Sequence, residues 1–176
     1  DAVEIYSKYL NANPNDADAY ARRGYSRQQI ADPRGAIADY DRSIQIDPTN
    51  PGVFYYRAWS KKSRKDFEGA KQDFLHALDM EPEFVEVYPK LGNIYYRQGE
   101  FDSAIFYHDK ALQYDSLNEE ARFERSYSRL QVHNYTGALQ DAELLLKFGA
   151  SDKNIPWIAG VSSANLRLFK QAEDYF

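Results

Sequence analysis

Small residues recur at Gly24, Ala58, Gly92, Ser126 and Gly160, every 34 residues, and alanines recur with the same step at Ala2, Ala36, Ala70, Ala104, Ala138 and Ala172. Four residues after each alanine stands a ring, at Tyr6, Tyr40, Phe74, His108 and Phe176, with Ala142 as the small exception. The pairs Asp47-Pro48 and Glu81-Pro82 keep the period as well. Self-similarity held this long without an insertion confines the chain to a stack of one supersecondary unit, in which each copy buries its apolar face against the next.

Full units span 17–50, 51–84, 85–118 and 119–152, preceded by the back half of an earlier unit (1–16) and followed by an incomplete one (153–176). Within a unit the apolar spacing is helical: Leu91, Ile94 and Tyr95 lie one turn apart, and Ala104, Ile105, His108, Ala111 and Leu112 follow i, i+3, i+4, i+7, i+8. Each unit is therefore two helices, parted at Asp32-Pro33, Lys65-Asp66, Gly99-Glu100, His133-Asn134 and Arg167-Leu168. Prolines at 14, 48 and 82 stop second helices. Phe148-Gly149-Ala150 replaces the prolyl stop of the fourth unit, so either the helix overruns there or the loop is longer. The chain is expected to be one solenoid over 1–176 and a fragment of a longer protein, because it opens on a second helix and ends inside another.

Composition removes several functional classes. With 22 Lys+Arg against 27 Asp+Glu, the net charge of −5 lacks the basic excess of a nucleic-acid binder. The absence of Cys removes disulfides, thiolate zinc sites and cysteine nucleophiles. No apolar run approaches the roughly 18 residues of a membrane span, so membrane insertion is not expected. His76 and His108 fall on second helices and His133 in a turn, positions that do not converge on a metal. Acid pairs such as Asp39/Asp41 and Glu119/Glu120 read as solvated surface, and without a strand there is no phosphate-loop context. No cofactor, metal or catalytic residue is expected, and the chain is not read as an enzyme. Few breakers, 9 Gly and 7 Pro, suit an almost wholly helical chain, while 15 Tyr call for a separate cause.

The third unit, with Tyr88, Leu91-Gly92, Tyr95, Gly99, Phe101, Ala104 and Ala111 in phase, resembles the tetratricopeptide repeat (TPR) family, a helix–turn–helix unit of 34 residues. Pentatricopeptide and HEAT-type repeats differ in length or regularity. The resemblance implies an all-α, right-handed superhelical solenoid of antiparallel helix pairs. It also implies that first helices line a concave groove where partners dock, while small residues admit close helices and rings fill the gaps between successive units.

Where the family favours Leu before the small residue, three units carry Arg23, Arg57 and Arg125, and sixteen residues on stand Asp39, Asp73 and Asp141. The other two units show Leu91 with Tyr107 and Ala159 with Tyr175. Arg goes with Asp and apolar with Tyr, which predicts ion pairs Arg23–Asp39, Arg57–Asp73 and Arg125–Asp141 between the two helices of one unit, partly buried and bidentate. Arg27, Lys61 and Arg129 are placed to share these carboxylates.

For the groove, the resemblance points to Tyr25, Tyr55, Trp59, Lys62, Asn93, Tyr96, Arg97, Phe123, Tyr127 and Trp157, an aromatic track of the kind that forms binding hot spots. Each ring is alternatively packing against its neighbour, and Asn93 is the place where family members hold a peptide backbone. The Lys/Asn clamp that grips chaperone C-terminal tails has no match in any three units. The expected function is a non-enzymatic protein–protein interaction scaffold, or adaptor, for an extended, partly apolar peptide or protein segment. Alternatives are a substrate-recognition arm of a longer enzyme or secretion machine, and end-to-end self-association through uncapped apolar faces carrying Phe169 and Phe176.

Overall fold

The computed structural model describes residues 1–176 as helices joined by short turns, with no strand. In chain order they are α1 (Ala2–Ala12), α2 (Ala17–Gln29), α3 (Pro33–Ile46), α4 (Pro51–Ser63), α5 (Phe67–Met80), α6 (Val87–Gln98), α7 (Phe101–Tyr114), α8 (Glu119–Gln131), α9 (Tyr135–Lys147), α10 (Asn154–Asn165) and α11 (Phe169–Tyr175). Seven of them start behind a side chain that accepts from a free N–H of the first turn: Asp1, Asp16, Asp32, Asn50, Asp66, Asn118 and Asn134. Phe84 stands in the same register as Asp16, Asn50 and Asn118 but has nothing to accept with. The helix that the repeat would begin at Val85 begins instead at Val87. The Phe84 ring lies on Tyr55, with centroids 5.0 Å apart.

The turn inside each helix pair is closed the same way every time. Ala31, Lys65, Gly99, His133 and Arg167 adopt φ of 58°, 65°, 76°, 61° and 62°. The next residue then donates back across the turn, as from Asp32 N to Arg27 O at 2.9 Å and from Asn134 N to Arg129 O at 2.8 Å. This is the left-handed stop that satisfies the last carbonyls of a helix. At the end of the fourth unit the longer loop is the outcome: α9 stops at Lys147, Gly149 turns at φ 81°, and Ala150 N donates to Leu145 O.

The chain divides into two compact units, Asp1–Val87 and Tyr88–Phe176. In the first, α1 packs on α2, α2 on α3, α3 on α4 and α4 on α5. In the second, α7 through α11 pack in the same successive manner, and Tyr95 of α6 stacks on Tyr107 of α7 at 5.2 Å. The rings also have a seat inside a helix pair, which the expectation of filling between successive units did not include. A Cβ built on Gly24 would fall 2.9 Å from the Tyr40 ring, one on Gly92 2.5 Å from His108, and one on Gly160 2.6 Å from Phe176. The small residue lets the paired helices close until the ring touches backbone. Tyr40 and Phe74 are fully buried, each worth roughly 1.5–3 kcal/mol of transfer free energy. Tyr40 also reaches the following helix, where it meets Val53 and stacks on Tyr56 at 6.4 Å.

Candidate partner-binding surface

On α2, Asp18, Arg22 and Tyr25 follow i, i+4, i+7 and therefore share one face. Opposite them α4 begins with its cap Asn50, then Gly52, Val53 and Tyr56, and Tyr6 of α1 closes the third side. These residues line a pocket of about 340 Å³, in the range of peptide and small-molecule sites. Its floor is Val53, buried, and its wall is a pair of tyrosines meeting edge to face, Tyr25 and Tyr56, with centroids 5.4 Å apart and planes at 72°. Tyr25 is 45% exposed and Tyr56 38%. At the mouth Arg22 pairs with Asp18 at 2.6 Å, which leaves the rim close to neutral.

The other expected groove residues are distributed unevenly. Tyr55 turns inward, between Phe74 at 5.7 Å and Phe84 at 5.0 Å, and this burial raises its phenol pKa. Its neighbour Tyr56 takes the outward position instead. Trp59 is half-buried with the Lys62 ammonium 5.2 Å above its ring, a cation–π contact. In the second unit Tyr96 meets Tyr127 edge to face at 5.5 Å, and Phe101 backs them. Phe123 and Tyr127 pack on the cluster of Leu130, Leu139, Leu145 and Ile158, so both belong in part to the core. Arg97 and Trp157 are exposed.

Asn93, expected to face a partner, is only 5% exposed. Its amide donates to buried Glu124 at 2.5 Å, and the other Glu124 oxygen lies 3.2 Å from His108 Nε2. Arg97 Nε donates to Asn93 Oδ1 at 3.3 Å. A buried carboxylate needs such partners, and Asn93 is held facing it. No three or more His, Asp or Glu side chains converge to hold a metal.

The Arg residues form a repeated clamp. Arg23 donates to both oxygens of Asp39 at 2.9 and 2.6 Å, Arg57 to Asp73 at 2.8 and 2.6 Å, and Arg125 to Asp141 at 2.8 and 2.5 Å. Arg27, Lys61 and Arg129 reach the same carboxylates. The third guanidinium edge turns back to the preceding second helix, to Ser7 at 3.2 Å, Asp41 at 2.7 Å and Asp109 at 2.6 Å. One Arg thus ties three helices.

The tetratricopeptide-repeat family model matches residues 17–50 and 85–116. Those two stretches are tetratricopeptide repeats. No curated protein sequence matches it. Among solved structures, YrrB, described as a TPR protein with an unusual peptide-binding site, superposes with a TM-score of 0.89 at 20% identity, over 98% of this chain and 89% of that one. MamA superposes with a TM-score of 0.71 at 22% identity, covering 83% and 84% of the two chains. PilF of Pseudomonas aeruginosa gives 0.74 at 22% identity, covering 97% of this chain and 78% of that one. At these identities the likeness is one of fold.

The pocket between α2 and α4 takes in Tyr25 from the groove places that the resemblance singled out, together with residues outside them. Sequence reasoning reached Tyr25 there and missed Tyr56, Gly52 and Arg22. The helical stripe through Asp18, Arg22 and Tyr25 was the signal that would have found them, since it marks the second and sixth places of each first helix as neighbours of the ninth. The backward legs of the clamp, Asp41 and Asp109, were readable as carboxylates sixteen residues before Arg57 and Arg125.

Proposed function

We propose that this TPR chain is a non-enzymatic binding scaffold and that its first unit holds an extended, partly apolar peptide or protein segment across the faces of α1, α2 and α4. The observation that carries this reading is the pocket between Tyr25 and Tyr56, two half-exposed phenols over an apolar floor. Such rings offer large contact area at low entropic cost and combine stacking with hydrogen bonding, the composition of interface hot spots. In the second unit Arg97, Tyr96 and Trp157 offer further contacts, with Asn93 acting through Arg97. No helix is long and apolar enough to cross a membrane. YrrB, similar in fold, is described as having a peptide-binding site, which supports the same class of ligand here.

The test is panning of a random dodecapeptide library on the whole chain, followed by titration of the enriched peptides against a Tyr25→Ala/Tyr56→Ala variant. Loss of at least about tenfold in affinity is expected, the scale of one lost hot spot. An empty selection, or peptides that bind the double variant unchanged, would overturn the assignment.

A further inference from the structure

Two departures from the repeat mark the pocket in the first unit. The fifth place of a first helix carries Tyr55, Pro89, Phe123 and Trp157 in four units but Ala21 in the first. The second place carries Asp18, Glu86, Glu120 and Asn154 but Gly52 in the unit that forms the opposite wall. Ala21 lies beside buried Tyr40 and Val53, so the space a ring would take at this place is bounded by core and open to solvent on one side. Gly52 leaves the mouth without a side chain where other units place a carboxylate or an amide. Its φ is not left-handed, and a Cβ there would meet only the cap oxygen of Asn50 at 3.1 Å, so the backbone does not require Gly.

We infer that this pocket receives one aromatic side chain from the partner, docked in the place where the chain's own fifth-position ring is replaced by Ala21. The inference rests on the peptide-binding reading above and specifies its chemistry. A third ring beside Tyr25 and Tyr56 extends an edge-to-face pair into a cluster, a geometry that favours rings over aliphatic chains of equal area. The mouth selects against charge, because its one guanidinium, Arg22, is already paired with Asp18. Asn50 and Ser26 stand at the edge of the pocket, where an extended backbone on either side of the ring passes.

The test uses N-acetyltryptophanamide and N-acetyltyrosinamide as probes, with N-acetylleucinamide and N-acetylglycinamide as controls, titrated into the ¹⁵N-labelled chain. The ring probes should shift the amides of Ala21, Gly52, Val53 and Tyr56 saturably, and the leucine probe should bind roughly fivefold more weakly, the scale of an aromatic pair. Ala21→Trp fills the place from within and Gly52→Glu closes the mouth. Each should weaken the ring probes at least about tenfold while leaving the circular-dichroism melting curve intact. Equal binding of the leucine probe, shifts scattered away from the pocket, or indifference to both variants would overturn the inference. The library separates the two readings. Enriched peptides that need Tyr25 and Tyr56 but share no aromatic residue would sink the ring and leave the scaffold, whereas ring probes seated in the pocket with no enriched peptide would do the reverse. A dimer in sedimentation that dissolves in Ala21→Trp would assign the ring to a second copy and overturn the partner.

Discussion

Arg57 and Asp73, sixteen residues apart on α4 and α5, are joined by two parallel N–H···O bonds of 2.8 and 2.6 Å, while the remaining edge of the same guanidinium holds Asp41 of α3 at 2.7 Å. The two carboxylates differ in their surroundings. The Asp73 side chain is 6% exposed and that of Asp41 46%. Asp73 is therefore the member whose loss strands a buried cation, and Asp41 the member water can replace.

Asp73→Ala should accordingly lower the unfolding free energy by roughly 3 kcal/mol, and Asp41→Ala by about 0.5 kcal/mol. Urea denaturation of the two single variants checks this. Equal losses would show that the buried leg has no special weight.

The third unit places Leu91 and Tyr107 where the second has Arg57 and Asp73. Arg57→Leu/Asp73→Tyr exchanges the buried pair for that apolar one, and such an exchange is often neutral or stabilising. The double variant should recover most of the loss seen in Asp73→Ala. A stability as low as that of Asp73→Ala would mean that the pocket around Arg57 does not close on a tyrosine.

The helix pairs, their turns and the Arg–Asp legs were legible because every unit repeats the same contact, so one misleading residue is outvoted by its counterparts. What the period could not supply is the rotation of a helix by about 100° per residue, which decides whether Tyr55 or Tyr56 looks outward. Phe84 settles that by seating Tyr55 against itself, a contact formed because Phe84 is no cap. Asn93, Glu124 and His108 escaped for the opposite reason. They meet across α6, α7 and α8, Asn93 donating to one Glu124 oxygen and His108 lying 3.2 Å from the other, with no repeat-level pattern to mark them. Asp41 and Asp109 keep the sixteen-residue step, but the first unit has Ser7 in their place and both look like ordinary surface acids, which weakens the signal.

Gly92 carries a further consequence. A Cβ there would fall 2.5 Å from a fully buried His108 ring, so Gly92→Ala forces overpacking that costs about 1–3 kcal/mol. The better helix propensity of Ala returns at most about 1 kcal/mol. Net destabilisation is expected by thermal denaturation, and Gly92→Ala/His108→Ala should remove the clash. A Gly92→Ala variant as stable as the parent would show that the ring has room to shift.

Tyr107 should be a late-titrating phenol. Burial first, then the neighbouring phenols of Tyr95 and Tyr88, push its pKa up from 10.0 to about 12. A phenol whose pKa is higher folded than unfolded favours the fold at neutral pH and ceases to do so as pH rises from 10 towards 12. The difference in phenolate absorbance between parent and Tyr107→Phe should therefore appear near pH 12, and the parent should lose stability relative to that variant across this window. A difference signal complete by pH 10.5 would refute the shift.

Ala31 offers a stabilising change that touches no contact. It is exposed, sits at φ 58°, and occupies the same turn position as Gly99 at φ 76°. A residue with a Cβ pays about 1–2 kcal/mol in the left-handed region. Gly avoids that strain but frees the unfolded chain by roughly 0.5–1 kcal/mol. The turn's own bonds, from Asp32 N to Arg27 O and from Gly35 N to the Asp32 carboxylate, both 2.9 Å, involve no atom of the Ala31 side chain and survive the substitution. Ala31→Gly should therefore raise the melting temperature modestly, by the equivalent of roughly 0.5 kcal/mol. The control is Ser26→Gly in the interior of α2, where φ is helical and the same replacement should lower it. If both variants are destabilised alike, relief of left-handed strain is not what governs this turn.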